Sequence, residues 1–191
     1  MTMSPFFLYL AWFADVLVLS LLLALLEINM EKDRGWGATL NSNGLGRKVR
    51  PGRLFLGVVE KQYVTVYHLL MYGIILPGVI AAHWVALYLF WSKQGLTVTG
   101  SGLLTVWHIG STSLAPFLLA IAAWLAICTI EDFLWFALNW YYPASLRDLL
   151  AGKIWWHTQW VRIGRSMLPR FYVWTLIIAA GLLAVAYRLS A

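Results

Sequence analysis

The chain has 191 residues, 61% of them hydrophobic and only 12% charged, with a mean hydropathy of +0.74. A soluble domain carries about 25% charged and about 45–50% apolar residues, so this balance excludes both an ordinary soluble domain and a disordered chain. It points to an integral membrane protein, in which an excess of 14 Lys and Arg over 8 Asp and Glu serves to orient the spans and nucleic acid is not an expected partner. The single cysteine, Cys128, excludes a disulfide within one chain and a cysteine-cluster metal site.

Four apolar stretches, 5–27, 64–91, 113–140 and 170–188, are each long enough to cross a hydrocarbon core about 30 Å thick at about 1.5 Å per residue. The first is interrupted only by Asp15 between Pro5 and Leu26 and lacks the basic n-region and cleavage site of a signal peptide, so it reads as a retained helix. The connection 28–63 is rich in glycine and gathers Lys32, Arg34, Arg47, Lys48, Arg50, Arg53 and Lys61. Its end, 54–62, reads as an amphipathic or surface extension of the second span, which contains His68, Pro77-Gly78 and His83. Lys93 alone stands in the next connection. The third span carries Glu131, Asp132 and Asn139 toward its end. The connection 141–169 then breaks at Pro143, and Ser145 to Asp148 has capping-box spacing that predicts a short surface helix. Arg147, Lys153, Arg162, Arg165 and Arg170 precede the fourth span. By the positive-inside rule both termini lie outside and both long connections in the cytoplasm. The expected fold is an all-α, up-down bundle of four transmembrane helices, a single domain over 1–191 with a Trp-rich cytoplasmic interfacial segment, in a plasma or inner membrane.

Ionisable groups in a bilayer need a partner or a role, because a charge at its centre costs about 2.5–3.5 kcal/mol on insertion scales. Asp15 and His83 fall within roughly 3 Å of the same depth at 1.5 Å per residue, which makes them an intramembrane polar pair. Such a pair glues helices together or relays protons; alternatively His83 is a cofactor ligand, an axial imidazole for haem or a chlorophyll-type pigment. A second set shares the cytoplasmic depth: Glu27, Asn29, Glu60, His68, Glu131, Asp132 and His157. Helical spacing puts Asp132 and Asn139 on one face and turns Glu131 about 100° away. Within this set Glu131, Asp132 and His157 are the candidate catalytic acid–base groups. Glu131, His68 and His157 are the candidate ligands of a divalent metal such as Zn, Mn or Fe. The alternative is a water-accessible set of salt bridges to Arg147, Arg162 or Arg165. The tryptophans between 135 and 160 are denser than an aromatic belt requires, and Trp135, Asn139, Trp155 and Trp156 are the candidate substrate pocket.

These residues support three functions. The first is a membrane enzyme acting on a lipid-like or apolar substrate at the cytoplasmic interface. The second is a non-catalytic subunit of a respiratory, photosynthetic or transport complex. The third is a proton-coupled transporter working through Asp15, His83 and Pro77-Gly78. The expected partners are membrane lipids, other membrane subunits or a second copy of the chain.

Overall fold

The computed structural model of the chain describes residues 5–35, 40, 44–49, 64–91 and 114–190. The 54–62 segment, Glu60 and the Lys93 connection lie outside the described residues. Among the described residues four helices are long and apolar enough to cross a membrane. The first is α1 (Pro5–Glu31), followed by the short strands β1 (Lys48–Val49) and β2 (Val64–Thr65). A continuous helix then runs through α2 (Val66–Leu70), a π-helical turn (Met71–Ile75) and α3 (Leu76–Trp91). Next come α4 (Leu114–Leu138), the short α5 (Ser145–Leu150), the hairpin β3 (Trp160–Ile163) and β4 (Ser166–Pro169), and finally α6 (Arg170–Ser190).

The central helix is α4, which packs against α1, α3 and α6. Over the most apolar stretch of each span, 56% of α4 is buried against 22% of each of the other three. Apolar and small residues surround α4 accordingly, with Leu119, Ala122, Ala123, Ala126 and Ile127 all buried. The outer helices each bury one stripe. In α1 it is Trp12, Val16, Ser20, Ala24 and Ile28 at four-residue steps, while Phe13, Leu17, Leu21 and Leu22 face outward. Among the described residues, large apolar side chains also stand exposed on the other three long helices, among them Ile74, Ile75 and Val79, Phe117 and Ile121, and Leu176, Ile177 and Val185. Between helices, the Trp12 indole donates to Leu119 O at 2.9 Å, and the Asn139 amide donates to Lys32 O at 2.7 Å.

The π-turn has a local cause. Pro77 has no N–H to offer Gly73 O and its ring crowds that carbonyl, so the preceding turn widens. The Leu76 N–H reaches back five residues to Met71 O, and the Tyr72 carbonyl thereby released accepts from the Trp124 indole at 2.9 Å. The start of α2 is held in a similar way. Its first N–H groups, on Val66 and Tyr67, donate to Arg47 O and Leu45 O, and Thr65 is its N-cap.

The connection after α4 departs from the expectation in two places. Ser145 begins α5, but it is not a cap: Ala144 takes the cap position, and the Ser145 hydroxyl donates instead to Phe136 O at 2.6 Å. It satisfies one of the orphan carbonyls at the end of α4, which outcompetes the capping-box arrangement. The stretch before α6 is a β-hairpin rather than a loop, with Trp160 opposite Pro169 and Ile163 opposite Ser166. Its two-residue turn, Gly164-Arg165, has a positive φ at Gly164 (+60°) and none at Arg165, as a type II′ turn requires.

Candidate functional site

The helix α1 continues to Glu31, past the expected end at 27. This extension sets Glu27 and Glu31 one above the other at i and i+4. Facing them from α2 is His68, and all three side chains are buried. One ligand atom from each of Glu27, Glu31 and His68 lies within 4.8 Å of the other two, and His68 Nε2 is 3.8 Å from Glu31 Oε1. The His68 ring is oriented by its own helix cap, since Nδ1 lies 2.6 Å from Thr65 Oγ1. Glu27 Oε1 accepts from Tyr67 at 3.0 Å and from Tyr72 at 2.6 Å. A fourth carboxyl, that of buried Glu131 on α4, lies in electrostatic range of Glu27, Asp132 and Glu31. Its Oε1 is buried without a hydrogen-bond partner, as is the Trp135 indole N–H one turn along the same helix.

The neighbouring carboxylate points elsewhere. Asp132 Oδ2 accepts from the Tyr172 hydroxyl on α6 at 2.5 Å and lies 3.3 Å from His157 Nε2. His157 is buried among the rings of Phe136, Trp156, Trp160, Phe171 and Tyr172. Glu131 and His157 thus belong to different groupings. Among the described residues the set with metal-ligand spacing is Glu27, Glu31 and His68, whereas the sequence reading joined His68 to Glu131 and His157. The expected bridges to arginine take another form, for Arg147 lies 3.5 Å from Asp148, and Arg162 and Arg165 stand exposed on the hairpin.

The expected pocket residues divide as well. Trp155 and Trp156 line a cavity of about 340 Å³ together with Asp33, Arg34, Tyr142 and Lys153. Trp135 stands behind this wall, its ring 5.9 Å from that of Trp156. Asn139 is occupied as the end-cap of α4, where its side-chain oxygen accepts from Tyr141 N and Tyr142 N while its amide holds Lys32 O. Far from this end, His83 Nε2 is 2.7 Å from Asp15 Oδ2, with side-chain exposures of 46% and 33%.

Glu31, Thr65, Tyr67, Tyr72 and Tyr172 escaped the sequence reading as site residues. The Glu27-x-x-x-Glu31 spacing was the available signal for the first, and a helix carried one turn further would have revealed it. The tyrosines carry no such signal, because a phenol in an apolar helix looks like any aromatic. No family model matches the chain, and neither a curated protein nor a solved structure matches it.

Proposed function

We propose that this chain is an integral membrane enzyme acting on a lipid-like substrate, with a divalent metal held by Glu27, Glu31 and His68 at the cytoplasmic edge of the bilayer. The observation that carries the reading is the buried cluster itself, whose ligand atoms lie within 4.8 Å of one another. A tetrahedral site with bonds of about 2.1 Å has ligand atoms about 3.4 Å apart, so side-chain shifts of about 1 Å close it. Two carboxylates and one imidazole suit Zn, Mn or Fe. The Thr65 contact supports the same reading: with Nδ1–H donating to Thr65, the Nε2 lone pair is left toward the carboxylates, the arrangement that orients metal-bound histidines. Buried carboxyls this close repel one another, and the orphaned Glu131 oxygen gives a bound cation or its water a further acceptor.

A metal there would supply Lewis acidity toward a carbonyl or phosphoryl oxygen. Asp132 and His157 form the acid–base pair, with the Tyr172 hydroxyl holding the carboxylate in place. The positive-inside bias and the apolar outward faces support membrane residence, with 28–63 and 141–169 in the cytoplasm and the spans alternating in direction. The test is metal analysis of protein purified in mild detergent. One equivalent of Zn, Mn or Fe is expected, lost in Glu31→Gln and in His68→Gln, whose unfolding profiles should match that of wild type stripped of metal by a chelator. Turnover of a lipid extract would vanish in Glu131→Gln. A metal-free wild type, or unchanged metal in both ligand variants, refutes the centre.

The second reading is a non-catalytic subunit or a homo-oligomer. Two outward-facing features favour it: the half-exposed Asp15–His83 pair, and the exposed small residues Ala180, Gly181 and Ala184 on α6. A stable, metal-loaded monomer in detergent counts against it.

A further inference from the structure

The cavity beside the acid cluster has a composition that the metal reading does not use. Its volume of about 340 Å³ is in the range of small-molecule pockets. Two cations reach it from separate segments, Arg34 just past the end of α1 and Lys153 just past α5. Backbone bonds fix both approaches: Arg34 N donates to Glu31 O at 3.2 Å, and Lys153 N to Asp148 O at 2.9 Å. Among the described residues neither cation belongs to an ion pair. The carboxylate of Asp33 lies on the same cavity, and the rings of Trp155, Trp156 and Tyr142 complete it. Trp156 is a rigid wall, stacked on Phe136 with ring centroids 5.7 Å apart and packed directly over Gly35. Trp155 is 61% exposed, as befits an indole at headgroup depth.

Two cations and one anion around an aromatic wall complement a ligand with a phosphate at one end and an ammonium at the other. Guanidinium and ammonium donors take the phosphate oxygens. The carboxylate and the indole faces take the amine, the latter by cation–π attraction. A simple anion would gain from Arg34 and Lys153 but be repelled by Asp33. We propose that this cavity binds the zwitterionic headgroup of an amine-bearing glycerophospholipid from the adjoining leaflet. This deepens the proposed function by naming the substrate class, and it rests on that reading for the claim that the bound lipid is also the one acted on. Asp33 and Arg34 follow Glu31 by two and three residues along the chain, and the Arg34 N–H is bonded to Glu31 O, which ties the cavity's rim to the end of α1 that carries the carboxylate cluster.

The experiment is native mass spectrometry of delipidated protein in a non-ionic detergent. Phosphatidylethanolamine, phosphatidylglycerol and diacylglycerol are added separately. Wild type retains one phosphatidylethanolamine, in preference to phosphatidylglycerol and far above diacylglycerol. The Arg34→Gln/Lys153→Gln double variant loses at least tenfold in retention, Lys153→Gln alone loses part of it, and Asp33→Asn narrows the gap between the two phospholipids. These side chains are exposed, and an unchanged thermal melt certifies each variant as folded. Equal retention by wild type and the double variant overturns the proposal, as does diacylglycerol or phosphatidylglycerol held as well as phosphatidylethanolamine. Competition by soluble glycerophosphoethanolamine at the lipid's own concentration reassigns the site to a soluble phosphodiester and overturns the membrane source. Glu31→Gln is expected to lose metal and keep the lipid, so failure of the metal centre and failure of the headgroup site are read separately.

Discussion

Replacing Gly35 by alanine tests the packing that joins the end of α1 to the tryptophan wall. Gly35 has φ +58°, and a Cβ built on it would lie 2.5 Å from Trp156 Cη2, 2.9 Å from Trp156 Cζ2 and 3.2 Å from Trp135 Cη2. Contacts below 3.0 Å force a neighbour to move, and here the neighbours are two indoles already packed against Phe136 and each other. The left-handed backbone costs a non-glycine residue about 1–2 kcal/mol, and the overpacking adds about 1–3, so Gly35→Ala should cost about 2–5 kcal/mol. Gly181 is the control: it lies inside α6 with nothing within 4 Å of its virtual Cβ. There alanine removes the helix penalty of glycine, about 0.8–1 kcal/mol in soluble helices, and no loss is expected. Unfolding by SDS titration in mixed micelles, followed by tryptophan fluorescence, measures both. A Gly35→Ala cost below about 0.5 kcal/mol, the range of ordinary surface changes, refutes the close packing of Trp156 on this turn.

A double-mutant cycle of Asp15→Leu and His83→Leu should give a coupling energy of about 0.6 kcal/mol and at most about 1.7, the average and the upper end for polar contacts between membrane helices, and zero coupling means the 2.7 Å contact contributes nothing. Thr65→Val removes the N-cap of α2 at a cost of about 1 kcal/mol, and by freeing the His68 ring it should weaken metal retention in a chelator titration; unchanged retention separates the cap from the site. The Tyr142–Asp148 hydrogen bond of 2.6 Å holds the phenol above its ordinary pKa of 10.0 and the carboxyl below its ordinary 3.8. Its contribution is therefore complete between these two ordinary values. It is lost as pH falls through the lowered Asp148 value or rises through the raised Tyr142 value. The stability difference between wild type and Tyr142→Phe should be flat across neutral pH and shrink at both extremes, and a difference that varies near pH 7 contradicts this.

Four long helices were legible because apolar runs of about nineteen residues or more, broken by turn residues and cations, leave little else to build. Their bounds were less so. The expected end of the first span at 27 followed the drop in hydropathy at Glu27, yet the backbone needs of a helix outlast its apolar run, and α1 carries on to Glu31. That difference hid the carboxylate pair. The spacing of Glu131 and Asp132 did show that these carboxylates serve different directions, since that follows from helical rotation alone. Which neighbour each one meets depends on how α1, α2 and α6 sit around α4, and no local pattern states it. The hairpin was missed because its strands of four residues each alternate too briefly to signal strand, leaving Gly164-Arg165 as the sole cue.

The π-turn decides what the second span can present to its neighbours. In an uninterrupted α-helix, at about 100° per residue, His68 would stand about 80° round from Leu76, and Tyr67 about 180°. Yet Tyr67, His68, Leu76, Ile80 and Trp84 are all buried. The widened turn takes up roughly one residue's rotation, bringing the polar end and the apolar length of the helix into the same angular phase. Met71–Ile75 is thus a phase shifter between two registers. A regular α-helix of unchanged length through this segment would turn His68 about 80° away from the face of Leu76, whereas deleting one residue there would restore a regular helix and keep the two ends in phase.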